Sequence, residues 1–122
     1  MAKVGGWVWS MAKINSSSYG FITIDDKAYH HDVYVLPSGK VVEREYGHTF
    51  TKDQVEYVLK ENPDTVVIGK GTSGLAGLNG VARSLLENRG IEIVEADTPA
   101  RAGKFNELAE TKRVAAIIHV AC

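Results

Sequence analysis

The chain has 122 residues, of which 44% are hydrophobic and 24% charged, ordinary values for one globular domain. Its 14 basic and 15 acidic side chains nearly balance, and no basic run exceeds two residues, so the clustered positive charge of a nucleic-acid binder is missing. The single cysteine, Cys122, excludes an intramolecular disulfide, and no stretch approaches the roughly 20 apolar residues of a membrane helix. We therefore expect one cytoplasmic domain over residues 1–122 that binds neither nucleic acid nor membrane.

The first half of the chain is predicted to form an antiparallel β meander. Three runs rich in β-branched and aromatic residues, 19–24, 28–36 and 40–45, are separated by the turn-forming Asp25-Asp26 and Pro37-Ser38-Gly39. A helix should follow from Thr51, because Gln54 three residues later completes a capping box. Pro63 is expected to end that helix.

The second half has the pattern of a parallel βαβαβ unit. Apolar runs at 65–68, 91–94 and 114–120 predict strands, separated by helices that begin at Asn79 and at Thr98-Pro99. Val81, Leu85 and Leu86 are expected on the buried stripe of the first of these helices. Right-handed crossovers predict three parallel neighbouring strands with both connecting helices on one face of the sheet. The predicted fold class is α/β, a mixed sheet built from the meander and this unit.

In such a sheet, ligands bind beyond the carboxyl ends of the parallel strands. Three segments that follow the strands should converge there and supply the candidate ligand-binding residues: Gly69, Lys70, Gly71, Thr72, Ser73, Gly74, Asp97, Thr98 and His119. Backbone N–H groups of the glycine-rich loop, the lysine and the hydroxyls would hold a small anionic ligand. The alternative is a loop whose glycines serve only tight turns and close packing.

Other chemistries are less well supported by the sequence. Gly69, Gly71 and Gly74 match a dinucleotide-binding fingerprint with Glu95 and Asp97 as ribose-binding acids, but Leu75 to Leu78 separate the fingerprint from the next helix. His119 and Cys122 could form a thiol–base pair, although no orienting acid is identifiable. A metal site from His30, His31, His48, His119 and Cys122 lacks recurrent ligand spacing, and we predict none.

Trp7 and Trp9 lie two residues apart near the start of the chain and share one face if that segment is extended. Packing in the core or at a subunit contact is the expected use of two such indoles. A stacking platform for a base or sugar is the alternative.

The chain resembles a family of small α/β domains of unknown biochemical function that includes the adipogenesis-associated protein of animals and a mitochondrial complex I assembly factor. The resemblance covers residues 19–122 and leaves 1–18 as an extension. Its carrying residues are Tyr19-Gly20, Tyr29, Asp32-Val33, Pro37-Ser38-Gly39, Arg44, His48, Val67-Ile68-Gly69-Lys70-Gly71, Gly90-Ile91, Thr98-Pro99, Phe105-Asn106-Glu107-Leu108, Arg113-Val114 and His119-Val120-Ala121-Cys122.

The resemblance implies a three-layer α/β fold around a mixed sheet. It assigns no catalytic residues to this chain, and the cofactor is unknown. Two functions remain as hypotheses. The first is a non-enzymatic binding or assembly module with a protein partner or a small anionic ligand, in a chain that is compatible with a homo-oligomer. The second is a small enzyme or cofactor binder that uses the strand-end pocket.

Overall fold

A computed structural model describes residues 12–18, 20–45, 47–71, 76–96 and 98–120. The helices and strands of the described chain follow in sequence order: β1 (Ile14–Ser18), β2 (Phe21–Ile24), β3 (Lys27–Tyr29), β4 (Val33–Val35), β5 (Val41–Glu43), β6 (Thr49–Phe50), α1 (Lys52–Leu59), β7 (Thr65–Lys70), β8 (Gly77–Leu78), α2 (Gly80–Asn88), β9 (Glu92–Ala96), α3 (Thr98–Ala109) and β10 (Val114–His119).

The central element is a five-stranded mixed sheet with the strand order β5-β4-β10-β7-β9. Strand β7 pairs in parallel with β10 on one side and with β9 on the other, whereas β4 pairs antiparallel with both β10 and β5. Every residue of β10 is buried, as expected of a strand whose apolar run, Val114 to Ile118, is covered on both faces. The prediction of three parallel neighbouring strands is confirmed.

The prediction that both connecting helices lie on one face of this sheet is wrong. Strands β9 and β10 flank β7, so the first crossover moves to one side of β7 and the second returns past it. Two right-handed crossovers that run in opposite directions place their helices on opposite faces. The core accordingly divides in two: Ala82 and Leu86 of α2 pack on one face of the sheet, and Phe105 of α3 packs on the other.

The two halves of the core define three layers. Helices α1 and α2 cover one face of the sheet, where Val55, Val58 and Leu59 of α1 belong to the same buried cluster as apolar side chains of β4, β7 and β10. Helix α3 covers the other face together with a three-stranded antiparallel sheet, β1-β2-β3, that contributes Ile22 and Ile24. This arrangement confirms the α/β fold class with an antiparallel meander and a mixed sheet.

The meander is divided between the two sheets. The run at 28–36, predicted as one strand, consists of β3, which pairs with β2, and β4, which pairs with β10 and β5. The chain leaves one sheet and enters the other at residues 30–32, which resets the inward and outward alternation of its side chains. Strand β1 at Ile14–Ser18 pairs with β2, so residues assigned to an extension are part of the smaller sheet.

Helix α3 is fastened to strand β1 by one side-chain amide. The Asn106 Oδ1 accepts a hydrogen bond from the backbone N–H of Ile14 at 2.9 Å, and its Nδ2 donates to the backbone carbonyl of the same residue at 2.7 Å. One side chain thereby satisfies both backbone polar groups of Ile14, which is itself buried.

The capping signals of helix α2 agree with the sequence, whereas the position of one apolar residue does not. Asn79 caps α2 by accepting from the N–H of Ala82 at 2.8 Å, and Gly90, with φ of 70°, follows the helix. Val81 is 61% exposed, although it was expected on the buried stripe. Ala82 and Leu86, four residues apart, face the core, and Val81 is turned about 100° from Ala82 by the helical period.

The capping box at the start of α1 gives a test of the local structure. The Thr51 hydroxyl accepts from the N–H of Gln54, and the Gln54 side chain accepts from the N–H of Thr51. Thr51→Ala removes the first bond and should lower the free energy of unfolding by about 0.5–2 kcal/mol. Thr51→Ser retains the hydroxyl and should cost less. Urea denaturation measures both, and equal values for the two variants would contradict a capping role.

Candidate functional site

A single row of polar residues crosses the five-stranded sheet where its apolar core ends. We call Arg44, Asp32, His119 and Lys70 the polar row. His119 of β10 pairs with Lys70 of β7. On the other side of β10, Ile118 pairs with Val33, so the next position along the two strands brings His119 beside Asp32. The N–H of Arg44 donates to the carbonyl of Asp32 at 2.8 Å, which extends the row to the end of β5.

The row faces the side of the sheet that α1 and α2 cover. Side chains alternate between faces along a strand, and Tyr34, Ile68 and Ile117, each two residues from a member of the row, belong to the core on that side. The apolar layer beneath the two helices therefore continues directly into the polar row. Since β7 is the strand at which the chain reverses its direction across the sheet, the row lies at the point where ligands bind in open α/β sheets.

Asp32 is the central contact of the row. Its carboxylate Oδ2 bonds the Arg44 Nη1 and the His119 Nδ1, the latter at 2.8 Å, and its Oδ1 accepts the backbone N–H of Val120 at 3.0 Å. The side chains of Asp32, Arg44 and His119 are fully buried. One carboxylate thus fixes a guanidinium, an imidazole and the end of strand β10.

Arg44 connects this carboxylate to the segment that leads into α1. Besides the contact with Asp32, its guanidinium donates to the carbonyl oxygens of Gly47 at 3.1 Å and Thr49 at 3.0 Å and to Gln54 Oε1 at 3.1 Å. It also lies over the ring of Phe50, 4.3 Å from the centroid. Burial lowers the pKa of Arg44 from its ordinary value, and the charge of Asp32 opposes that change, so the guanidinium retains its proton.

The segment that Arg44 holds places a second histidine against the row. His48 is exposed and its ring meets the His119 ring edge to face, with centroids 4.9 Å apart. Its carbonyl accepts the N–H of Gly77 at 2.9 Å, and β6 pairs in parallel with β8. This small ladder joins the segment before α1 to the chain that returns from β7, so both flank the polar row.

A buried ion pair of this kind is a poor source of stability. Removing two charges from water costs several kcal/mol per ion, and the attraction between them repays this only with good additional hydrogen bonds. Asp32 and Arg44 have those bonds, which makes the arrangement tolerable and geometrically defined. Well-packed apolar residues would serve stability equally well, so the residues present favour a positioning role for the network.

The structure brings together only some of the predicted ligand-binding residues. Gly69 and Lys70 are the last residues of β7 and not part of a loop, and Gly71 follows, buried and with φ of 93° that favours glycine. His119 ends β10 beside Lys70, as expected. Thr98 begins α3, but its side chain lies outside the described part, as do residues Thr72, Ser73, Gly74 and Asp97 altogether.

The structure also bears on the dinucleotide-binding and metal-binding hypotheses. Glu95, considered as a ribose-binding acid, instead bonds Arg83 of α2 at 2.5 Å. Strand β8 and Asn79 separate the glycine-rich segment from α2, so this helix does not begin at the third glycine as a dinucleotide site requires. Within the described residues, no three His, Cys, Asp or Glu side chains are grouped to hold a metal. Trp7, Trp9 and Cys122 lie outside them.

Asp32 and Arg44 were not among the predicted site residues, although the sequence contains a signal for them. The turn at Pro37-Ser38-Gly39 joins β4 to β5 with Val35 opposite Val41. Moving away from the turn by one residue on both strands gives the next facing pair, and the third such step places Asp32 opposite Arg44. Opposite charges at directly facing positions of an antiparallel hairpin predict a cross-strand ion pair. The contact of Asp32 with His119 depends on the pairing of distant strands and has no such local signal.

A comparison with protein families identifies the chain's relatives. A family model described as a protein of unknown function, DUF498/DUF598, matches residues 14–119. The chain belongs to this family. The match includes strand β1 and all four residues of the polar row. No curated protein matches the chain.

Solved structures that are similar to this chain have the same fold. A conserved hypothetical protein from Pyrococcus horikoshii OT3 is 30% identical, with a TM-score of 0.83 over 90% of this chain and 99% of its own. A protein described as an outer membrane protein from Bartonella henselae is 26% identical, with a TM-score of 0.79 over 95% of this chain and 100% of its own. In the described part of the present chain, no helix has the length and apolar character needed to cross a membrane.

The charge balance between Asp32 and Arg44 can be tested by comparing single and double variants. Asp32→Asn leaves the buried guanidinium without its counter-charge and should lower the free energy of unfolding by about 3–5 kcal/mol. The double variant Asp32→Asn/Arg44→Met removes both charges and should be more stable than Asp32→Asn alone. Urea denaturation of the wild-type chain, of Asp32→Asn and Arg44→Met as single variants, and of the double variant gives the coupling free energy. A double variant that shows the simple sum of two losses would contradict the pairing.

Tyr34 lies two residues from Asp32 on the same face of the sheet, and its ionisation gives a pH test of this end of the sheet. Burial, followed by the hydrogen bond from its hydroxyl to Glu45 at 3.0 Å, raises the pKa of Tyr34 well above its usual value near 10. The folded chain should therefore lose stability as the pH rises above about 10, where the unfolded tyrosine ionises and the folded one does not.

Tyrosinate absorbance measures this difference directly. The chain has 5 tyrosines, and the titration of the folded protein should contain a late component assigned to Tyr34. Tyr34→Phe should remove that component. The absence of a late component in the folded wild-type chain would contradict the burial of this hydroxyl.

Proposed function

We propose that this chain is a non-enzymatic binding module whose ligand is small and anionic, and that the ligand binds beyond the carboxyl ends of β7 and β10. The observation that carries the proposal is the polar row. A buried network of hydrogen bonds around the Asp32–Arg44 ion pair ends beside Lys70, at the point where the chain reverses its direction across the sheet. Such a network costs desolvation free energy and is a weak source of stability, which supports a role in fixing geometry.

The charge of the row supports an anionic ligand. The Asp32 carboxylate and the Arg44 guanidinium balance each other within the core, which leaves the Lys70 ammonium as the charge of the row without a counter-ion in it. Lys70 is partly exposed, whereas Asp32 and Arg44 are buried, so the positive charge is the one that solvent and ligands meet. Gly71, buried and with φ of 93°, follows Lys70 directly, in a conformation that favours glycine.

The alternative enzymatic function gains one specific observation. The Asp32 carboxylate bonds Nδ1 of His119 at 2.8 Å, which is the orienting acid that the thiol–base hypothesis had lacked. In an enzyme, that carboxylate would hold the imidazole in one tautomer and stabilise its protonated form. The nucleophile of that hypothesis, Cys122, lies outside the described residues. Binding is the preferred function because the polar row supports it directly.

The role in assembly of larger complexes, which the resemblance to a complex I assembly factor implies, stays a prediction. It needs a protein partner, and pull-down of a defined partner from the host would support it. The cytoplasmic location and a homo-oligomeric state also stay predictions.

A thermal-shift screen tests the binding proposal. The panel contains inorganic phosphate, nucleotides, coenzyme A, phosphosugars and small carboxylates. A ligand at one hundred times its dissociation constant stabilises the fold by about 2.7 kcal/mol. For a domain of this size that corresponds to roughly 10 °C in Tm, at about 4 °C per kcal/mol.

Two variants with the same change in net charge identify the site. Lys70→Gln should abolish the shift, because it removes the cation of the row while the buried Asp32–Arg44 pair is retained. Lys40→Gln is the matched control, since Lys40 is an exposed lysine that precedes β5, outside the polar row, and the shift should persist. A flat response of the wild-type chain to the whole panel, or an equal loss in both variants, would refute the proposal.

A further inference from the structure

The segment Gly47–Thr49 is held more firmly than its irregular backbone suggests. Its three consecutive carbonyl groups all accept hydrogen bonds: those of Gly47 and Thr49 from the Arg44 guanidinium, and that of His48 from the N–H of Gly77. The two donors come from different parts of the fold, the end of β5 and the chain that returns from β7. Each backbone position in this segment is therefore fixed with respect to the polar row.

The side chain carried by this pinned segment lies over the row. The His48 ring is exposed on one side and meets the fully buried His119 ring edge to face on the other, at 4.9 Å between centroids. Packing of His48 on His119 places it above the same face of the sheet that carries Lys70. The imidazole and the lysine then border the end of the row from the segment before β6 and from strand β7, respectively.

We infer that His48 is a ligand-contacting residue of this site and that Arg44 is the residue that positions it. The inference rests on the proposed binding function and adds the ligand chemistry: an oxyanion, phosphate or carboxylate, that accepts one hydrogen bond from the His48 imidazole and a charge-assisted one from Lys70. The imidazole N–H of His48 and the ammonium of Lys70 would approach the ligand from two sides, which matches an acceptor with oxygens on more than one side.

The arrangement explains why an arginine is present at position 44. A lysine would neutralise Asp32 equally well, but its ammonium is a point charge on a flexible stem. The planar guanidinium of Arg44 reaches Asp32, Gln54 and two carbonyl oxygens of the pinned segment at once, in directions fixed by its geometry. The expected consequence of losing this fork is a displaced His48 and a folded chain that retains its charge balance.

The experiment titrates inorganic phosphate and, separately, acetate into the wild-type chain and into five variants, one of which is Lys70→Gln, with calorimetry as the readout. His48→Ala should weaken binding about tenfold or more, the loss expected for one hydrogen bond to a charged group. His30→Ala is the matched control, because His30 is also exposed but packs on Phe21 of the smaller sheet, and its affinity should equal that of the wild type. The stronger of the two probes identifies the oxyanion as phosphate or carboxylate.

The positioning role of Arg44 is tested by a double-mutant cycle. Arg44→Lys should weaken binding by a factor similar to that of His48→Ala, and Arg44→Lys/His48→Ala should show little further loss, because both changes remove the same contact. Affinity is measured on samples shown to be folded by circular dichroism, so a purely structural effect of Arg44→Lys would leave the dissociation constant unchanged. Additive losses would overturn the positioning role.

The outcomes separate this inference from the proposed function. If the wild-type chain binds a probe, and Lys70→Gln abolishes that binding while His48→Ala does not alter it, the site stands and the role of His48 is overturned. If the wild-type chain binds neither phosphate nor acetate, the oxyanion contact is overturned. Whether a small anionic ligand binds at all is then decided by the larger members of the thermal-shift panel.

Discussion

The hydrogen bonds of the Asp32 carboxylate are the interactions on which one end of the sheet depends, the end at which the parallel strands β7 and β10 finish. Its two oxygens bind a guanidinium from the end of β5, an imidazole from the end of β10 and the backbone N–H of Val120. The apolar layers on both sides of the sheet stabilise the fold without specifying direction, since burial depends on area and not on orientation. The carboxylate is directional, and it fixes how the ends of three strands are aligned where the apolar layers stop.

That alignment relates the fold to its candidate function. The strand order makes β7 the point of reversal, the register sets Lys70 beside His119, and the hydrogen bonds of Arg44 add the segment before α1 as a second wall. None of these features alone would define a site. Of the glycine-rich segment, the described residues Gly69, Lys70 and Gly71 border the site where β7 ends. The residues that organise its other side, Asp32 and Arg44, lie in the first half of the chain.

Much of the fold could be predicted because its determinants are local. The capping box at Thr51, the Asn79 cap and the continuous apolar run of β10 each depend on neighbours in sequence, and the parallel pairing follows from connection rules. The faces of the helices were mispredicted because the order of β9 and β10 around β7 depends on long-range packing. The division of the run at 28–36 was missed for the same reason, since His30 to Asp32 bridge two sheets whose separation no local pattern shows.

The candidate site was predictable to a smaller extent. Lys70 and His119 follow from parallel topology, and Asp32 opposite Arg44 was available from the hairpin register. The position of His48 over His119 was not, because it results from hydrogen bonds between a guanidinium and carbonyl groups three to five residues away. Irregular segments held by side chains leave no periodicity in a sequence, and functional contacts are concentrated in such segments.

The amide of Asn106 has a consequence for how copies of this chain meet one another. Strand β1 borders the smaller sheet, and a border strand presents backbone groups that can recruit a strand from another molecule. At Ile14 both of these groups are already bonded by the side chain of α3. The amide imitates the backbone of a neighbouring strand, so the ladder is terminated at this position from within the same chain. Intermolecular strand addition at Ile14 would first have to displace it, which protects the chain against aggregation at this border.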